Sequence, residues 1–245
     1  MTMLKEELKE SLQKNKNLSQ LDRDIIPRII SDYSTFFKMY GIEFDSINTR
    51  KLLETLNFRV KQIEDEKISY DSSTNTIVLP NNINISEEEL SEIYEKSILS
   101  LMTTTYNLNS ESYNEGLNFS VENKKYAGII NEKVTDRIHE LVYGNIDDKI
   151  VTVPTVLDSL SSDIEGLIGS ENLLTYFING RGDLFYNKMS EVIGSEKETI
   201  DFFETLKEYE SVDKNNMREI NKIDMKYEKQ FERILENKKV ETLAM

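Results

Sequence analysis

Apolar side chains recur at helical spacing along most of the chain, and one stretch breaks that rhythm. Leu4, Leu8 and Leu12 stand one turn apart with charges between them, which predicts a surface helix over 4–14. A second helix is expected over 24–40, with Pro27 in its first turn, where a missing N–H costs little, and Gly41 as its stop. A short third helix is expected over 48–56. From Phe58 to Ile63 the pattern alternates instead. It resumes at Ile68-Ser69-Tyr70, turns through Asp71-Ser72-Ser73-Thr74-Asn75, and returns through the β-branched Thr76-Ile77-Val78-Leu79. This predicts a hairpin that is the one substantial sheet, closed by Pro80.

Ser86 followed by Glu89 is a capping box. Behind it Leu90, Ile93, Tyr94, Ser97, Ile98, Leu101 and Met102 keep the helical period to an end near Thr105-Tyr106, with Glu87-Glu88-Glu89 complementing the helix dipole. Another helix is expected over 129–143, stopped by Gly144-Asn145. Beyond Pro154 the spacing predicts helices over 155–168, 171–179, 183–193, 196–210 and 213–238. The fold class is α+β and predominantly helical. Its parts are N-terminal helices over 1–56, a sheet-and-helix segment over 57–145 and a helical part over 146–245. They are expected to form one continuous domain, with 144–154 as the place for a hinge.

Composition narrows the partners. Lys and Arg number 30 against 45 Asp and Glu, a formal charge of -15. Nucleic-acid binding needs a basic patch, so that class is not expected. The absence of cysteine removes disulfides, thiolate metal sites and cysteine nucleophiles together. No run approaches the roughly 18 apolar residues of a membrane span, and the first residues are charged. The expectation is a cytoplasmic protein without a membrane partner.

Three pieces in order carry the functional reading: the hairpin ending in Ile77-Val78-Leu79, the capped helix with Lys96-Ser97-Ile98-Leu99-Ser100-Leu101-Met102-Thr103-Thr104-Thr105-Tyr106, and the helix with Gly128-Ile129-Ile130-Asn131-Glu132-Lys133-Val134-Thr135-Asp136. This order resembles the zincin-like bacterial metallopeptidases of the gluzincin type, over roughly residues 57–210. In that family an edge strand holds an extended peptide, the next helix carries HExxH, and a later helix supplies a glutamate ligand. Two imidazoles at i and i+4 and the later glutamate hold zinc, leaving the fourth position for water, while the motif's own glutamate acts as base.

The resemblance implies a zincin-like core with a small sheet and a helical C-terminal part. It places HExxH on Lys96-Ser97-Ile98-Leu99-Ser100 and the glutamate ligand on Glu132, flanked by Asn131 and Thr135. Lys133 departs from the usual glycine. Leu173-Leu174-Thr175-Tyr176-Phe177 and Gly182-Asp183-Leu184 look like the family's C-terminal helices. Both histidine positions hold Lys96 and Ser100, and the base position holds Ser97. An ammonium repels zinc and a neutral hydroxyl binds it poorly. The degenerate-site positions are therefore Lys96, Ser97, Ser100, Asn131, Glu132 and Thr135, with no metal, no cofactor and no catalytic residue expected. Lys96 pairing with Glu132 would replace the metal by a charge swap.

Other features have simpler readings. His139, the only histidine, begins His139-Glu140-Leu141-Val142-Tyr143, where tyrosine is a rare zinc ligand; a half-exposed helix histidine is expected. Ser97 and Ser100 are packing residues, and a Ser100–Lys96 dyad would need a buried lysine. Arg181-Gly182-Asp183 is a turn in which Gly180 ends one helix and Asp183 caps the next. Met217, Ile220, Tyr227, Phe231 and Ile234 form a broken seam that packs on its own domain. The expected function is an inactive zincin-like module binding a protein or extended peptide in a vestigial groove, with its oligomeric state open. The alternative is an acidic helical interaction or regulatory protein unrelated to peptidases. A metal-free enzyme using Glu132 and Lys96 is the third class.

Overall fold

A computed structural model describes residues 2–62, 69–81, 86–107, 112–144, 156–213 and 216–244. They contain ten helices and three small sheets, an α+β fold dominated by helix. No helix among the described residues is long and apolar enough to cross a membrane. Ile63, Ile68, Pro154 and most of the expected hinge lie outside the described residues. The chain groups into two compact units.

The first unit comprises Met1–Gly116, Ile138–Gly144 and Phe177–Gly180. It opens with α1 (Thr2–Lys14), α2 (Gln20–Met39) and α3 (Ser46–Thr55). Helix α2 starts four residues before its expected position because Ser19 and Asp22 cap it reciprocally, each side chain meeting the other's backbone N–H. Pro27 consequently sits two turns inside the helix rather than in its first turn, its ring buried. The stop at Gly41 holds, with φ at +71°, where a glycine fits best. Asn15, at the end of α1, donates its amide to the carbonyls of Leu53 and Leu56 and so satisfies the C-terminal carbonyls of α3. The core here is aliphatic: Ile26, Ile29, Ile30, Leu52 and Leu53 are buried along with Phe37.

Next come β1 (Asn57–Val60), β2 (Tyr70–Asp71) and β3 (Thr76–Leu79), in the order β1-β3-β2. The expected hairpin is β2–β3, antiparallel, with Asp71 tying its turn through Ser73 and Thr74. The segment from Phe58 is not a hairpin arm: β1 runs parallel to β3. Asn75 fixes the sheet to α3, donating to Leu52 C=O at 2.7 Å and accepting from the Tyr70 phenol at 2.8 Å. Helix α4 (Glu87–Met102) carries the expected capping box. It ends before Thr105-Tyr106, because Thr104 opens the antiparallel pair β4 (Thr104–Asn107) and β5 (Ser112–Glu115). Helices α1, α2, α3 and α4 pack against one another, and α4 lies on β2 and β3.

The second unit comprises Leu117–Arg137, Asn145–Tyr176 and Arg181–Met245. A third hairpin, β6 (Phe119–Val121) and β7 (Lys124–Tyr126), precedes α5 (Gly128–Tyr143), whose residues from Ile138 on group with the first unit. Then follow α6 (Val156–Ile168), α7 (Ser170–Ile178), α8 (Gly182–Ile193), α9 (Glu196–Ser211) and α10 (Met217–Ala244). The expected single sheet is thus corrected to three. Helix α10 rests on α6, α8 and α9, burying Tyr227 and Ile234 of the expected seam together with Ile223 outside it, while Met217 of that seam is exposed. This core is aromatic: Phe203 meets Phe119, Phe185 and Phe202 edge-on or tilted at 4.8 to 5.8 Å.

Candidate functional site

The degenerate motif lies on the C-terminal half of α4, in the first unit. Lys96 is partly exposed and its Nζ pairs with Glu92 Oε1 at 2.6 Å, one turn back. Ser97 is 2% exposed and its Oγ has no hydrogen-bond partner among the described residues. Ser100 is buried, and its carbonyl accepts the hydroxyls of Thr103 and Thr104, both at 2.9 Å. These two bonds draw the chain out of the helix and into β4, so the run of threonines is a helix exit.

Asn131, Glu132 and Thr135 belong to the second unit. Asn131 is buried and its Oδ1 accepts the Leu117 N–H at 2.9 Å, while Thr135 Oγ1 donates to the Asn131 carbonyl at 2.8 Å. Glu132, between them, is half-buried. The start of α5 is held from another direction: Glu210 Oε1 accepts the Ile129 N–H at 3.1 Å. That carboxylate serves a helix N-terminus, where unpaired N–H groups and the dipole both favour it.

The zinc that the resemblance implies does not fit these residues. An ammonium held by Glu92 and an enclosed hydroxyl stand where imidazole and carboxylate donors are required. Among the described residues no three His, Asp or Glu side chains gather as a metal would need.

The structure does build a polar cluster in the first unit that the sequence reading passed over. His139 is not half-exposed; it is 1% exposed, and its Nε2 lies 2.8 Å from Glu95 Oε2, itself 7% exposed. Ser91 donates to the other Glu95 oxygen at 3.0 Å. The His139 ring lies 5.2 Å from Tyr143, and Tyr143 meets the edge of Tyr33 at 5.7 Å. Tyr143 donates to Asp32 at 3.3 Å. Burial pushes the Tyr33 phenol far up, with Tyr143, Glu95 and Asp32 adding to it; burial, Asp32 and Glu95 do the same to Tyr143, against Arg28. Both phenols therefore stay protonated and are not nucleophiles; Tyr143 donates to Asp32, whereas the buried Tyr33 hydroxyl has no hydrogen-bond partner among the described residues. The available signal was periodicity: Glu95 falls one turn before Ile98 and Leu99, and His139 one turn after Thr135, both on buried faces. Helix burial, not motif spacing, marks them.

Arg181-Gly182-Asp183 is not the expected turn: Gly182 and Asp183 open α8, and Asp183 does not cap it. Arg181 takes the cap position and grips the Asp183 carboxylate with two nitrogens at 2.9 Å.

Comparison with protein-family models, with curated proteins and with solved structures finds no match for this chain.

Proposed function

We infer that the chain is a metal-free, catalytically silent counterpart of the gluzincin-type peptidases, acting as a protein- or peptide-binding module. The carrying observation is the chemistry at the motif positions. Lys96, Ser97 and Ser100 offer no imidazole and no carboxylate, and Lys96 is already engaged by Glu92. The order of elements supports the scaffold: a small sheet, the capped α4, then α5 opening at Gly128 with Asn131 and Glu132 in its first turns.

The binding role draws on β1. Asn57 and Lys61 donate to the carbonyls of Asn75 and Leu79 at 3.0 and 2.7 Å. Alternation along the strand turns the main-chain groups of Phe58 and Val60 to the outer side of the sheet. That is the side on which an extended peptide adds as a further strand. Metal analysis of the purified full chain, paired with an assay on unfolded casein with added zinc, tests the reading. Zinc well below one per chain and intact casein are expected. One zinc per chain, or zinc-dependent cleavage, would overturn it and favour an active peptidase.

A further inference from the structure

The geometry points to a buried polar clasp: Glu95 on α4 holds His139, and with it the last turns of α5, in place within the first unit. The segment Ile138–Gly144 groups with that unit, yet it brings few apolar contacts. Ile138 is buried, but Leu141 is 57% exposed and Val142 and Tyr143 are only half-buried. Its specific contacts are polar or aromatic: His139 with Glu95, Tyr143 with Asp32, and the ring of Tyr143 against Tyr33.

The two partners of the clasp are enclosed to an extent that makes each dependent on the other. The His139 and Glu95 side chains are 2% and 9% exposed. Removing Glu95 leaves His139 buried without its partner, and removing His139 leaves the buried Glu95 with the Ser91 hydroxyl alone, both unfavourable states, whereas replacing both with apolar groups removes the polar demand altogether. The cheapest relief for a lone partner is to open the segment locally. The aliphatic core around Ile26, Ile29, Leu52 and Leu53 takes no part in the pair and keeps its packing. The clasp is thus a conformational device, a segment fastened by one buried polar pair with the part-buried Tyr143–Asp32 bond beside it. It does not rest on the peptidase reading, and zinc found in the protein would leave it standing.

Amide exchange on the full chain tests it, with His139→Ala, Glu95→Ala and the double variant Glu95→Leu/His139→Leu. Each single change is expected to speed exchange over 138–144 by about a hundredfold, with α1 to α3 still protected. The double variant restores protection to within about tenfold of the starting chain. Leu141→Ala, on the exposed side of the same turn, leaves exchange unchanged. Faster exchange spread evenly through α1 to α3, unchanged exchange in the single variants, or a double variant as open as the singles would overturn the clasp. Should the single variants fail to fold, the double variant decides: recovery of the fold supports the clasp, and failure contradicts it.

Discussion

The two units meet one problem at different depths. Both carry the carboxylate excess of a chain with 45 acidic and 30 basic residues, so cations are too few to match every acid. The first unit buries a carboxylate and meets it with the only imidazole, inside an aliphatic core. The second unit keeps its acids at the rim of an aromatic core and meets them with phenols, as the first unit does for Asp22 and Asp32 through Tyr94 and Tyr143. Tyr126 donates to Glu204 at 2.6 Å, Tyr227 to Asp163 at 3.2 Å, and Tyr209 to Asp224. A phenol is a neutral donor on an apolar ring, so it can pack and bond at once. Depth separates the two solutions: the buried pair specifies one segment, whereas the rim pairs each contribute a modest increment.

The contrast breaks most visibly at Phe203. Truncation to alanine removes contacts to Phe119, Phe185 and Phe202 and should cost roughly 3–5 kcal/mol in urea unfolding. A loss below about 1 kcal/mol would mean that the aromatic core is loosely packed. A smaller effect, of about 1–3 kcal/mol, is expected for Gly182→Ala, because an added Cβ would lie 2.0 Å from the Asn118 carbonyl oxygen. Gly166, inside α6 with nothing within 4 Å of such a Cβ, gives the opposite sign: Gly166→Ala should stabilise by about 0.8 kcal/mol.

Tyr126→Phe should cost about 1 kcal/mol near neutral pH, and its pH dependence sharpens the comparison. Burial and the bond to Glu204 push the Tyr126 phenol up to about 12. A raised phenol contributes stability that is complete below its ordinary value of about 10 and is lost as pH climbs from there to about 12. Unfolding curves across that window should fall for the unaltered chain and less steeply for the phenylalanine variant, in which the other raised phenols remain. The smallest effect lies at acid pH. The bond from Arg181 holds the Asp183 carboxyl below the usual range, against partial burial. Its contribution is therefore present above the ordinary carboxylate range and disappears as pH falls through that range to the depressed value. Arg181→Ala should remove that slope at a cost under about 1 kcal/mol, as for any exposed pair.

The helices were legible because apolar spacing and capping chemistry speak locally. Ser86 and Glu89 pair as their spacing demands, and Gly41 and Gly144 stop α2 and α5 with positive φ. Ser19 and Asp22 form the same box with the shorter acid, which the usual Glu or Gln signature misses. The hairpin β6–β7 escaped for a related reason. Its two-residue turn places Glu122 and Asn123 at φ of +49° and +66°, the primed geometry that Asn-Gly usually signals. Glutamate there gives no such cue. The parallel pairing of β1 with β3 depends on contacts distant in sequence, which alternation alone does not encode. For the site, the lack of strong metal donors at Lys96, Ser97 and Ser100 is a matter of residue type and needs no coordinates. The Glu95–His139 pair needed three-dimensional placement, because 44 residues separate its partners.

The central proposal is that Lys96, Ser97 and Ser100 on α4 stand where a zinc scaffold carries its donors. Putting the donors back tests it most directly: a Lys96→His/Ser97→Glu/Ser100→His variant, titrated with zinc by calorimetry beside the unaltered chain. The account predicts one zinc per variant chain and no comparable binding by the unaltered protein. A folded variant that binds no more zinc than the unaltered chain would contradict it.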